Sequence, residues 1–393
     1  MTEERKSQNK IRVLVVDDSA VMRRIIVSTL MRHPKIEVVG TAANGLLAIQ
    51  AVARLKPDLV TLDIEMPELD GIAALKEIRR TDPRLPIIMF SSLTQRGTTA
   101  TMDALTHGAS DYVGKPTSAD NLEDAIRVLE ETLIPKIKAL GAGALNLAGS
   151  AGSGGLTFKE RGVARREGLS MPAPEKITSV TTTTPPPSNA DAVVRPLGRS
   201  LAPVNALCIG VSTGGPAALL KIFESWRAPL TVPIFVVQHM PPKFTTMLAA
   251  RLTDVGVTPV QEPYDGQEAL AGQAYLAPGG FHLVLKRKGL KVFMYLTDDP
   301  PENSSRPAVD VLFRSAAQVY GKSLLAVVLT GMGCDGLLGA QDIVRSNGMV
   351  LAQDEATSVI WGMPGAIVAA NLAEKVMPLQ EIPSEIVFRT QFK

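Results

Sequence analysis

Three polar side chains stand where apolar runs stop. Ser212 follows Leu207-Cys208-Ile209-Gly210-Val211, and His239 follows the run Val232 to Val237 and Gln238. Asp335 lies beyond Leu324 to Leu329, in Thr330-Gly331-Met332-Gly333-Cys334-Asp335-Gly336. If the three runs are neighbouring parallel strands, all three side chains meet at the carboxyl edge of one sheet, where open α/β sheets keep their sites. A serine, a histidine and an aspartate so placed are the nucleophile, base and orienting acid of acyl transfer, recognised by geometry and not by chain order. Backbone N–H groups at Met332 and at Thr213 would then face an oxyanion. Plainer roles exist for each residue: Ser212 and Asp335 as helix caps, His239 as a loop residue.

A second polar set lies nearer the N-terminus. Asp17 and Asp18 close the run Ile11 to Val16, Asp63 closes Leu59 to Leu62, Ser91 closes Ile87 to Phe90, and Lys115 follows the run Asp111 to Val113 and Gly114. Carboxylates this close repel unless a cation sits among them, and an all-oxygen set with open positions suits Mg²⁺. Lys115 supplies a fixed positive charge there and Ser91 a hydroxyl.

The same stretches also admit other chemistries. Cys334 is an alternative nucleophile, but it lies in a glycine turn with no adjoining histidine. His282 follows Pro278-Gly279-Gly280 and is expected to pack or cap there. The turn Gly210-Val211-Ser212-Thr213-Gly214-Gly215 departs from G-x-G-x-x-G, and the next strand ends in Gln238-His239 instead of a ribose-binding acid, against a dinucleotide site.

The elements that would position these residues alternate strand and helix twice over. At 393 residues the chain is expected to hold more than one domain. Residues 11–135 form one doubly wound parallel α/β unit of five strands, and 203–390 a second, mainly parallel one with a hairpin-like insertion. Residues 141–200, rich in Gly, Ala, Thr and Pro, are expected to be a flexible linker. A net charge of +2 argues against a nucleic-acid partner. Two cysteines do not make a disulfide framework, and no apolar run is long enough to span a bilayer. A cytoplasmic, monomeric protein without membrane insertion is expected.

Motifs in both halves carry a family resemblance. Val15-Val16-Asp17-Asp18, Leu62-Asp63-Ile64-Glu65-Met66-Pro67, Asp70-Gly71, Ser91 and Lys115-Pro116 resemble a two-component receiver domain of flavodoxin-like fold. The resemblance implies that Asp63 accepts a phosphoryl group from a chemotaxis histidine kinase. It implies that Asp17, Asp18, Asp63 and the Glu65 carbonyl hold Mg²⁺, and that Ser91, Tyr112 and Lys115 form the switch. Ser212-Thr213-Gly214-Gly215-Pro216, Gln238-His239-Met240-Pro241-Pro242, Arg306-Pro307-Ala308-Val309-Asp310 and Leu329-Thr330-Gly331-Met332-Gly333-Cys334-Asp335-Gly336 are similar to the CheB-type methylesterase domain. That resemblance implies hydrolysis of glutamate methyl esters on chemoreceptor helices, and deamidation of particular glutamines, with no cofactor for the ester chemistry. The competing expectation is a non-enzymatic response regulator whose second domain only binds a partner. A binding module would need none of Ser212, His239 and Asp335.

Overall fold

The computed structural model describes residues 10–92, 94–116, 122–150 and 203–391. The first unit runs β1 (Ile11–Val16), α1 (Ala20–Met31), β2 (Ile36–Ala42), α2 (Gly45–Leu55), β3 (Leu59–Asp63), α3 (Gly71–Thr81), β4 (Ile87–Ser91), α4 (Gln95–Thr106), β5 (Asp111–Gly114) and α5 (Leu122–Ser150). Its strands pair in parallel in the order β2-β1-β3-β4-β5. β3 and β4 are buried throughout, as strands covered by helices on both faces must be. Ser19, Asn44, Asp70 and Thr94 cap α1 to α4, each side chain accepting a backbone N–H of the first turn.

The second unit comprises β6 (Ala206–Val211), α6 (Gly215–Ser225), β7 (Ile234–Gln238), α7 (Phe244–Val255), β8 (Val260–Gln261), β9 (Gln267–Glu268), β10 (Ala274–Leu276), β11 (His282–Lys288) and β12 (Lys291–Thr297). It continues with α8 (Val309–Tyr320), β13 (Leu324–Val328), α9 (Leu337–Arg345), β14 (Met349–Gln353), α10 (Met363–Ala369), β15 (Lys375–Met377) and α11 (Ile382–Gln391). The main sheet is parallel, in the order β15-β14-β13-β6-β7-β10-β8. The expected insertion is the antiparallel sheet β11-β12-β9.

The doubly wound class holds for both units. One boundary differs: α5 continues to Ser150, so the first residues of the expected linker are helical. Ala and Leu alternate with the glycines there, and both favour helix strongly. The rest of that expected linker, 151–200, lies outside the described residues.

The two units share an interface. α4 packs on α6 and α7, and one apolar cluster joins Met102, Ala104 and Leu105 to Leu219, Leu220, Phe244 and Leu248. A second cluster, beneath α8, holds Phe313 fully buried against the loop that enters α9. Phe313→Ala removes that ring, and the second unit should lose about 3–5 kcal/mol of stability in denaturant titration. An unchanged midpoint would mean the loop collapses into the space.

Candidate active site

β13, β6 and β7 are adjacent and parallel, so the loops leaving them converge. Ser212 directly follows β6 and His239 directly follows β7. Asp335 lies further on than a strand end, in the loop between β13 and α9, but that loop folds back to the same edge. All three line one cleft of about 380 Å³. Gly214 takes φ +77° at the turn after Ser212, a conformation open to glycine. A Cβ at Gly331 would fall 2.9 Å from that of Ser212, so the β13 loop approaches the serine only because residue 331 has no side chain.

The His239–Asp335 pair is formed. His239 Nε2–H donates to Asp335 Oδ2 at 2.7 Å, which leaves Nδ1 as the basic nitrogen of the ring. Asp335 is 2% exposed. It does not cap the helix that follows it; Gly336 occupies that position. Its oxygens instead accept the N–H groups of Val309 (2.7 Å) and Asp310 (3.0 Å) at the start of α8, and that of Gly336 (2.9 Å). The N-terminus of a helix is a site for negative charge. Burial pushes the Asp335 carboxyl up, but the His239 bond and the α8 amides more than offset it, leaving it below the usual carboxylate range.

Met332 also lines the cleft, and its N–H and that of Thr213 donate to no protein acceptor among the described residues. The Thr213 hydroxyl donates across the interface to Asp111 Oδ2 at 2.7 Å. Cys334 is exposed on the cleft wall. His282 is buried and satisfied: Nδ1 accepts from Ala308 N–H and Nε2 pairs with Pro300 O. It packs and caps, as its place after a Pro-Gly-Gly turn implied.

The chain matches known proteins over nearly its whole length. The CheB methylesterase family profile matches residues 207–386, and the response regulator receiver domain profile residues 13–127. A protein-glutamate methylesterase/protein-glutamine glutaminase of Trichodesmium erythraeum is 44% identical over 380 residues, covering 97% of this chain and 99% of that protein. One of Nocardioides sp. is 48% identical over 379 residues, covering 96% and 95%. Among solved structures, the CheB methylesterase catalytic domain of Thermotoga maritima is 41% identical, with a TM-score of 0.46, covering 48% of this chain and 99% of that one. The chain belongs to the CheB methylesterase family.

Membership brings a receiver domain, and with it a Mg²⁺-dependent phosphorylation site. The residues present fit the ion. Carboxylate oxygens of Asp17, Asp18 and Asp63 lie within 4.8 Å of one another. Asp17 Oδ2 and Asp63 Oδ2 are buried, and Lys115 Nζ stands 3.2 and 2.7 Å from them as their counter-charge. Burial, with the Asp17 charge adding to it, pushes the Asp63 carboxyl up to about 6 against the opposing Lys115 contact. Asp18 and Glu65 are exposed at the rim, and the Glu65 N–H reaches Asp63 Oδ1 at 3.4 Å. Ser91 is turned away: its hydroxyl donates to Gly97 O at 3.1 Å and accepts from Thr101 Oγ1. Tyr112 faces the second unit, stacked on Phe244 with centroids 4.7 Å apart. No helix among the described residues is long and apolar enough to cross a membrane.

Residue types and spacing left Asn303, Asp111 and Phe244 without a role, and the structure brings all three to this site or its border. A titration with Mg²⁺ should raise the melting temperature, by about 1–3 kcal/mol of stability at 10–100 times the dissociation constant. Asp17→Asn should abolish that gain; a full gain in the variant would move the ion elsewhere.

Proposed function

We propose that this protein is a phosphorylation-activated serine esterase that hydrolyses glutamate methyl esters on chemoreceptors. The observation that carries this reading is the 2.7 Å bond from His239 to the buried Asp335 in a cleft shared with Ser212. In this reading Ser212 Oγ attacks the ester carbon while His239 Nδ1 takes the hydroxyl proton. The N–H groups of Met332 and Thr213 receive the oxyanion, a contribution worth about 10²–10³-fold for one such donor. Collapse breaks the bond to methoxide, which leaves as methanol with the His239 proton. Water then repeats the sequence on the acyl-serine and releases glutamate. A glutamine side chain follows the same route with ammonia as the leaving group. The relatives named above carry both activities in their names.

The receiver supplies the control. Asp63 takes the phosphoryl group from a histidine kinase; Asp17, Asp18, Asp63 and the Glu65 carbonyl would hold Mg²⁺, which together with Lys115 would offset phosphoryl charge. Ser91 then turns from Gly97 towards the new oxygens and Tyr112 turns inward, off Phe244. Before that, Leu105, Asp111, Tyr112 and Lys136 wall the cleft that holds Ser212, so a receptor helix cannot lie across it. A purely partner-binding second domain would leave the buried His239–Asp335 pair without purpose.

Ser212→Ala should keep the fold and lower methanol release from methyl-labelled receptor membranes by at least about 10³-fold. Turnover near wild type would move the nucleophile, with Cys334 the first place to look. Asp111→Ala removes the hydrogen bond to Thr213 and should raise the unphosphorylated rate about 3- to 10-fold, the equivalent of one buried bond. A basal rate that stays put would separate that contact from the control of the esterase.

A further inference from the structure

Behind the His239–Asp335 pair lies a second buried acid. Asp310, in the first turn of α8, is 1% exposed. Its Oδ1 accepts the Gly339 N–H at 2.6 Å. Burial holds its carboxyl above the usual range, the Gly339 bond opposes that, and the Asp335 charge adds to it. Two carboxylates this close need a donor between them.

Asn303 is that donor. Its Nδ2 lies 2.9 Å from Asp310 Oδ2 and 2.9 Å from Asp335 Oδ1, so each amide hydrogen goes to one acid. Both neighbours are acceptors, which fixes the orientation of the amide. The backbone is bent to deliver it. Asn303 and Ser304 sit at φ 52° and 60°, in the left-handed region that side-chain-bearing residues avoid. Such residues typically cost about 1–3 kcal/mol each and cluster at functional sites. The turn is clamped by reciprocal Glu302–Ser305 backbone bonds, and Glu302 is held by a two-pronged ion pair with Arg314 of α8. Asn303 also lines the cleft.

We propose that Asn303 is a positioning residue of the esterase, whose amide bridges Asp310 and Asp335 and fixes the Asp335 carboxylate so that Oδ2 stays on His239 Nε2. Resting on the catalytic reading above, the assignment concerns the acid and not the nucleophile. The amides of α8 and Gly336 bound the carboxylate on the helix side, but three of its four backbone and side-chain donors other than His239 fall on Oδ1, and Asn303 alone of these four comes from a side chain. Without it, Asp335 Oδ1 keeps the N–H groups of Asp310 and Gly336 but loses the donor it shares with the Asp310 carboxylate. The carboxylate then turns or takes up a proton, and His239 loses its fixed partner. Asp310 acts through Asn303, holding the second hydrogen of the amide.

The test uses the full-length chain, phosphorylated with a small-molecule phosphodonor, on methyl-labelled receptor membranes. Asn303→Gly is the informative variant, because glycine accepts φ 52° and deletes only the side chain. Its kcat should fall about 10- to 100-fold with KM within about twofold, as displacement of a catalytic group predicts. The low-field proton resonance of the His239 Nε2–H bond to Asp335 should shift or broaden. Asn303→Asp keeps the size and the tolerance for positive φ but replaces the donor by a third carboxylate, and should be slower still. A folded Asn303→Gly with wild-type kcat and an unmoved resonance overturns the proposal. So does a rise in KM at constant kcat, which would place Asn303 on the substrate. Ser212→Ala runs alongside: if it stays active the esterase reading itself fails, whereas an inactive Ser212→Ala beside a fully active Asn303→Gly rejects only the role of Asn303.

Discussion

The site depends on one buried negative charge. Asp335 has lost nearly all contact with water, and an isolated carboxylate in that position would pick up a proton sooner than remain charged. Five hydrogen bonds hold it as an anion: from His239, Asn303, Val309, Asp310 and Gly336. Two come from the first residues of α8, where four backbone amides lack partners in any helix. The helix thus gains a cap and the carboxylate a counter-field from the same contacts. Ala308, the N-cap residue of α8, has no side chain able to cap, and Asp335 takes that place. The cap comes from a loop that is distant in sequence and adjacent in the sheet.

The order of the strands follows from that requirement. β13, β6 and β7 lie side by side, so the three loops that carry Asp335, Ser212 and His239 leave the sheet within reach of one another. The insertion β11-β12 brings the chain to Asn303 and the start of α8 on the same face. His282, at the start of β11, accepts the Ala308 N–H and so ties the insertion to the α8 entry. Burial of the strands is close to complete, with every residue of β6, β7 and β13 inside. Side chains at the carboxyl edge are therefore placed by a rigid core, as a site that must hold sub-ångström geometry requires.

What could be read in advance follows from range. Apolar runs ending in Asp17, Asp63, Ser212 and His239 are local signals, and the sheet places those residues where alternation of strand and helix says they must be. Asp335 was legible as a residue after a strand, but its turn back to α8 was not, since the partners at 309 and 310 are fixed only by folding. Asn303 carried no signal: an asparagine in Pro301-Glu302-Asn303-Ser304 is an ordinary loop residue until two buried acids are seen on either side of it. β8 and β15, two and three residues long, pair only at sheet edges and have no periodicity to detect. The helical reach of α5 to Ser150 was masked by glycine content, which marks loops on average but is tolerated in a helix already nucleated.

The contact between the units runs through a few identifiable groups. Among the described residues it includes an apolar patch, the stacked pair of Tyr112 on Phe244, the packing of Ile360 on the core of the first unit, and a buried hydrogen bond from Thr213 to Asp111. Lys136 holds Asp111 at 2.8 Å and also donates to Tyr112 O, so both polar and aromatic contacts hang on β5. An aromatic pair contributes about 0.5–1.5 kcal/mol and a hydrogen bond about 1 kcal/mol. Together with the apolar patch, a closed state favoured by about 2–4 kcal/mol over an open one would be populated to roughly 97% or more. In the proposed reading, phosphorylation withdraws Tyr112 from Phe244 and removes contacts of that same size. Since Tyr112 and Asp111 are consecutive residues on one strand, moving one strains the other, and the two contacts break together. In the proposed reading this gives a two-position device that needs no rearrangement within the catalytic unit: the strand-end geometry of Ser212, His239 and Asp335 stays built, and only its cover moves.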